Sequence, residues 1–205
     1  MNELDALVNI DFKSRLPKAE SQSLRIIRLC TSGALQADIP LDSQVVATFG
    51  IGLDNLMHFY HLENNAEESF ILSAFHRHSL LPDELTKPYI AQASIKLLNR
   101  FMQGFEQGIT LTCPGFYAPQ DRMVRLPLHF PGLIDNFSSF QEGIHRICNY
   151  EMETAAFYGL GRVSGHHCLS LSTIINNRRT KECSKNSERA VIMMIEKSLE
   201  IISQI

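Results

Sequence analysis

Short apolar runs alternate along the chain with stretches whose apolar residues recur every three or four positions. Leu24 to Leu29 reads LRIIRL, a β-branched run that predicts a strand, which the small and hydroxylated Cys30-Thr31-Ser32-Gly33 should end in a tight turn. Val45 to Phe49 predicts a second strand ahead of Gly50 and Gly52, and Glu67 to Leu81 a helix with Phe70, Ala74, Phe75 and Leu81 at helical spacing. Tyr89 to Ala93 follows as a strand, Ser94 to Met102 as a helix, and Ile109 to Thr112 as a strand stopped by Cys113-Pro114-Gly115. The polar segment from Gly115 to Asn136 has no clean period and is too long for a simple connector, as expected of a loop that covers a ligand. Beyond it, Phe137 to Ile147 and Tyr150 to Val163 predict helices, and His167 to Ile175 a buried strand. Glu188 to Ile202 closes the chain as an amphipathic helix that Asn186 or Ser187 can cap.

Strands alternating with helices imply an α/β fold, a mostly parallel sheet covered on both faces whose ligands gather at the carboxyl ends of the strands. The length, 205 residues, suits one domain spanning residues 1–205. Glu3 to Leu7 reads as the end of a helix, and because such a sheet rarely opens that way, further strands are expected upstream. Lys and Arg number 19 against 22 Asp and Glu, so the chain lacks the basic field of a nucleic-acid binder. Cys30, Cys113, Cys148, Cys168 and Cys183 are far apart with no Cys-x-x-Cys spacing, which predicts reduced thiols and a cytoplasmic protein. No apolar run reaches the roughly 18 residues of a membrane-spanning helix, and Met-Asn-Glu-Leu-Asp is not the opening of a signal peptide.

Three segments could carry chemistry. Arg28, followed by Thr31 and the free amides of a small-residue turn, suits a phosphate or carboxylate, although an ordinary strand-to-loop turn has the same composition. Asn149-Tyr150-Glu151-Met152-Glu153-Thr154 sets two carboxylates around a Met at a helix start. Such residues commonly just favour the positive end of the helix dipole, but here a carboxylate could also accept from the two vicinal hydroxyls of a ribose. In the long loop, Gln120 offers both a donor and an acceptor and Arg122 offers donors, matching a planar ring with keto oxygens and an imide hydrogen. Phe116 or Tyr117 could stack on that ring. His166-His167 and His76-x-His78 lack partners at metal-ligand spacing and read as surface or capping histidines, so no metal is expected. Gly159-x-Gly161-x-x-x-Gly165 lies in a helical stretch, without the strand-turn-helix context of a dinucleotide site.

Taken in order, Arg28 to Gly33, Phe116 to Arg122, NYEMETAA and STIINNR resemble the nucleoside phosphorylase family over nearly the whole chain, and Gln120-x-Arg122 resembles its uridine phosphorylase branch. The resemblance implies a three-layer α/β/α sandwich around a mixed, partly closed sheet, here without the family's first strands. It further implies a pentosyltransferase of pyrimidine salvage and nucleoside catabolism that forms a homodimer or a hexamer of dimers. Its reaction would cleave uridine, or a related pyrimidine nucleoside, with inorganic phosphate as co-substrate and no other cofactor. Arg28 and Thr31 would bind phosphate. Thr31, Glu151, Met152 and Glu153 would hold the ribose, and Phe116, Gln120, Arg122 and Ile175 the base; Arg28, Arg122 and Glu153 would be the catalytic residues. Asn177 stands where purine-cleaving relatives carry an Asp, and Cys30 where the family more often has Gly. The family's Arg-bearing N-terminal phosphate loop has no counterpart in the sequence, so the alternative is an inactive nucleoside-binding relative.

Overall fold

The computed structural model describes residues 1–85 and 87–204. Helix α1 (Asn2–Asn9) leads through an extended segment to strand β1 (Arg25–Ala34), then β2 (Gln44–Gly52), α2 (Ala66–Ser79), β3 (Tyr89–Gln92), α3 (Ile95–Phe101) and β4 (Glu106–Thr112). After the long loop come α4 (Leu133–Ser138), β5 (Gln141–Glu142), β6 (His145–Glu151), α5 (Thr154–Val163), β7 (His167–Asn177), β8 (Glu182–Cys183) and α6 (Ser187–Ile202).

The strands form one mixed sheet in the order β3-β2-β4-β6-β1-β7-β8, and β7 also pairs back onto β2. Strands β2, β4, β6, β1 and β7 therefore run in a closed circuit, the partly closed sheet that the resemblance implied. The edge of β2 is shared: its first residues, Gln44 to Val46, pair with β7, and Phe49 to Gly52 pair with β3. Helices cover both sides. Ile71 and Phe75 of α2 and Phe137 of α4 pack on Phe49, Ile51, Ile109, Leu111 and Ile147. Across the sheet, Leu97 and Phe101 of α3, Tyr158 of α5 and Met194 of α6 pack on Val46, Ala47, Leu169 and Leu171. Helix α5 lies so close to β2 that a Cβ on Gly50 would sit 2.7 Å from the Cα of Ala155, and only glycine permits that approach.

Several expectations need correction. Cys30 to Gly33 is not a turn but the second half of β1, which stays in register with β7 through a bulge between Ser32 and Gly33. Phe137 to Ile147 is not one helix: α4 ends at Ser138 and β6 begins at His145. The second helix likewise starts only at Thr154. β6 escapes the periodicity test because it is buried on both faces: Ile147, Cys148, Asn149, Tyr150 and Glu151 are all buried, with polar and apolar residues mixed. His166 is buried rather than at the surface, and its Nδ1 accepts from the Leu24 amide at 3.2 Å. Asn186 does stand at the start of α6, but its side chain makes no capping bond.

Helix α2 is fixed by Glu68, which is fully buried. It completes a capping box with Asn65, accepts from the Gln92 amide at 2.6 Å and pairs with Arg162 of α5. Removing one partner of a buried pair leaves the other uncompensated, so Glu68→Ala is expected to destabilise the fold by about 3 kcal/mol. The urea unfolding midpoint measures this, and a change under 1 kcal/mol would mean that Glu68 fixes nothing.

Candidate functional site

Glu151 ends β6 directly opposite Thr112, the last residue of β4. It is 4% exposed, and its carboxylate accepts from the Thr112 hydroxyl at 2.6 Å, the Glu153 amide at 2.9 Å and the Thr154 amide at 2.9 and 3.0 Å. The first amides of a helix have no partner within it, and here a strand-end carboxylate supplies one for α5. Arg28 lies across from it, with Nη1 3.2 Å from Glu151 Oε2, and also donates to the Ser170 hydroxyl at 3.1 Å. The other terminal nitrogen of Arg28 reaches the Cys30 sulfur at 2.9 Å and the Glu153 carboxylate. With these partners Glu151 is saturated by the protein itself. The acceptor open to a ligand is Glu153, half exposed, with Met152 exposed beside it. Partial burial pushes the Glu153 pKa above the usual carboxylate value; Arg28 opposes that shift and Glu151 adds to it. Burial also raises the Cys30 pKa, so the sulfur beside Arg28 is held as a thiol.

The second cluster is in the long loop. The Arg122 guanidinium lies 4.0 Å from the centroid of the Phe116 ring, donates to the Phe116 carbonyl at 3.0 Å and bonds the side-chain oxygen of Gln120. Gln120 is 4% exposed, and its backbone carbonyl accepts from Arg178 Nη2 at 2.8 Å. Burial, and then the charge of Arg178, push the Arg122 pKa below its ordinary value. Among the described residues neither Arg122 nor Arg178 pairs with a carboxylate. Two donor-only groups thus converge on one glutamine without a counter-ion. Tyr150, next to Glu151, donates to the Pro119 carbonyl at 2.9 Å and so ties this loop to β6.

Thr31 and Ile175 lie apart from both clusters. Because β1 continues as a strand, odd spacing turns Thr31 to the face opposite Arg28. There it shares with Ile175, Ser187, Glu188, Val191 and Ile192 a cleft of about 430 Å³. The Asn177 amide is committed elsewhere, donating to the carbonyls of Gln36 and Ile39 at 2.9 and 3.0 Å and accepting from the amides of Arg179 and Thr180. Sequence reasoning gave Arg178 no role beyond its place after the last strand in STIINNR, and missed Thr112, Thr154 and Ser170 around Arg28. Their signal was position alone, at or near the ends of β4, α5 and β7. The described residues contain no cluster of three or more His, Cys, Asp or Glu placed to hold a metal ion, and no helix long and apolar enough to cross a membrane.

The chain is 28% identical over 103 residues to a uridine phosphorylase of Thermococcus kodakarensis, a match that covers 47% of the chain and 34% of that protein. The chain thus spans about a third of the length of the curated relative it matches. Its fold is similar to that of a Trypanosoma brucei nucleoside phosphorylase described as showing uridine phosphorylase activity, with a TM-score of 0.80 at 20% identity over 98% of this chain and 73% of that one. A purine nucleoside phosphorylase of Toxoplasma gondii, solved with immucillin-H, is similar at a TM-score of 0.58 and 15% identity over 86% of this chain and 62% of that one. A family model, that of the phosphorylase superfamily, matches residues 15–204, and to that family this chain belongs.

Proposed function

We propose that the chain binds a pyrimidine nucleoside, uridine or a close relative, and cleaves its N-glycosidic bond with inorganic phosphate. The observation that carries this reading is the pair of uncompensated guanidiniums, Arg122 and Arg178, gathered on Gln120. When the bond between C1′ and N1 breaks, its electrons pass to the base, and donor-only groups in a partly buried site stabilise the keto oxygens as they become anionic. A phosphate oxygen bonds to C1′, the base takes a proton from solvent, and the products are the free base and ribose 1-phosphate. Arg28 would hold the phosphate, releasing Glu153 to accept the ribose hydroxyls, with Met152 beside the sugar and Phe116 beside the base; Thr31 and Ile175, apart in the cleft at the start of α6, have no part in this scheme. No cofactor beyond phosphate enters this scheme. A homodimer or a hexamer of dimers in the cytoplasm, as in the family, completes the proposal.

A second reading, a binder without turnover, draws on the engagement of Arg28 by both Glu151 and Glu153. Release of uracil from uridine, measured with and without phosphate, separates the two: phosphate-dependent release supports phosphorolysis, and tight uridine binding without release supports the binder. Arg122→Ala should lower kcat by about 10²–10³-fold, as removal of one oxyanion donor does elsewhere. An unchanged kcat would remove the loop cluster from the chemistry.

Glu153 sets a pH dependence. Its pKa is raised, so on acidification it takes up a proton, and stops accepting from ribose hydroxyls, at a higher pH than an ordinary carboxylate. The acid limb of kcat/KM for uridine should therefore lie above the usual carboxylate range and disappear in Glu153→Gln. A limb that persists in that variant would assign it to another group.

A further inference from the structure

Serine is mostly a surface residue, yet Ser170 stands inside β7 and is 1% exposed. A hydroxyl taken out of water costs free energy unless it is hydrogen-bonded, so one placed here calls for a partner. In the parallel register of β1 and β7, Ser170 lies directly beside Arg28, and its hydroxyl accepts from Nη1 of that guanidinium at 3.1 Å. It also shares a hydrogen bond of 2.9 Å with the hydroxyl of Thr154, the fully buried first residue of α5. The backbone beneath it is fixed as well: the Ser170 amide donates at 2.8 Å to the Tyr158 hydroxyl, which donates at 2.7 Å to the Ala47 carbonyl of β2. The serine is thus anchored from α5 and from β2, independently of Arg28. The two ends of the guanidinium differ accordingly. Nη1 meets only buried partners, the Ser170 and Thr154 hydroxyls and, at 3.2 Å, the Glu151 carboxylate. Nη2 meets the Cys30 sulfur and the half-exposed Glu153 carboxylate.

We infer that Ser170 is a positioning residue for phosphate: by holding Nη1 of Arg28 inside the protein it turns Nη2 toward Glu153, the side on which an oxyanion can take that carboxylate's place. This inference rests on the assignment of phosphate to Arg28. A hydroxyl accepts from Nη1 without adding negative charge, so it fixes the guanidinium and leaves its cation for the ligand. Without that hydroxyl, Glu151 is the one strong acceptor left to Nη1, and the guanidinium can tilt to hold Glu151 and Glu153 together. Charge-assisted pairs with two carboxylates are strong, and that arrangement keeps an anion out. Once phosphate is bound, Glu153 is released whichever residue stands at position 170, and the groups proposed for the base do not touch Ser170. The effect therefore falls on phosphate rather than on the nucleoside.

Calorimetry with inorganic phosphate alone, beside kinetics in which phosphate and uridine are varied separately, tests the inference. Ser170→Ala should weaken phosphate and raise its KM on the order of tenfold, with KM for uridine at saturating phosphate unchanged. Ser170→Thr, which keeps the hydroxyl, should bind phosphate as wild type does, and Ser170→Cys, of the same shape with a poorer acceptor, should fall between. If Arg28→Gln abolishes phosphate binding while Ser170→Ala, folded by circular dichroism, binds phosphate as wild type does, or if its two KM values rise alike, Ser170 does not position Arg28 although the phosphate assignment stands. If wild type binds no phosphate, or Arg28→Gln binds it equally well, the assignment fails and the inference falls with it.

Discussion

The site depends on one buried carboxylate. Glu151 ends β6, accepts from Thr112 at the end of β4, supplies partners for the first amides of α5 and neutralises Arg28 of β1. Four elements are thus joined at one side chain. A buried charge costs several kcal/mol unless it is paired and hydrogen-bonded, and Glu151 meets that condition with protein donors alone. The burial also fixes roles: the saturated carboxylate positions Arg28 and α5, and the half-exposed Glu153 keeps lone pairs for something outside the protein.

Closure of the sheet makes this arrangement possible. Period-two alternation puts Arg28, Cys30 and Ser32 on one face of β1, Thr110 and Thr112 on one face of β4, and Asn149 and Glu151 on one face of β6. These faces meet in a polar ladder: Thr110 donates to Asn149 at 2.7 Å, and Asn149 to Ser32 at 2.8 Å. A fully satisfied polar network of this kind rigidifies the strands that carry it, whereas a partly satisfied one is costly. The atoms left unsatisfied, on Asn176 and Arg178, lie on the loop side and not within this ladder.

Much of this was legible in the sequence where a local pattern sufficed. The strands β2, β3, β4 and β7 and the helices α2, α3 and α6 follow from apolar spacing. The loop glutamine and arginine, the two carboxylates and Arg28 follow from residue chemistry. What local pattern cannot show is pairing at long range. β6 carries Asn149 and Glu151 facing the polar ladder, so its period is not that of a half-buried strand. The length of β1 depends on its register with β7, which carries it through four residues that by themselves read as a turn. Arg178 sits 56 positions from Arg122 in the sequence, and only the closed sheet brings the two together at Gln120.

The charges are also arranged in the direction that the proposed reaction requires. Glycosidic cleavage leaves positive charge on the sugar and negative charge on the base. Around Arg28 the two carboxylates outnumber the single guanidinium, whereas the two guanidiniums bonded to Gln120 pair with no carboxylate among the described residues. At an effective dielectric of about 20, unit charges 4 Å apart interact by about 4 kcal/mol, so polarity of this kind is large on the scale of a reaction barrier. It is also present before any ligand arrives, held by Glu151 at one end and by the Phe116–Arg122 contact at the other. Preorganised charge needs no rearrangement when the bond breaks, which is the condition under which electrostatics lowers a barrier most. Phosphate bound at Arg28 fits this field only if Glu153 gives up its hold on that guanidinium. In the proposed scheme, the movement that admits the anion would also free the carboxylate assigned to the sugar.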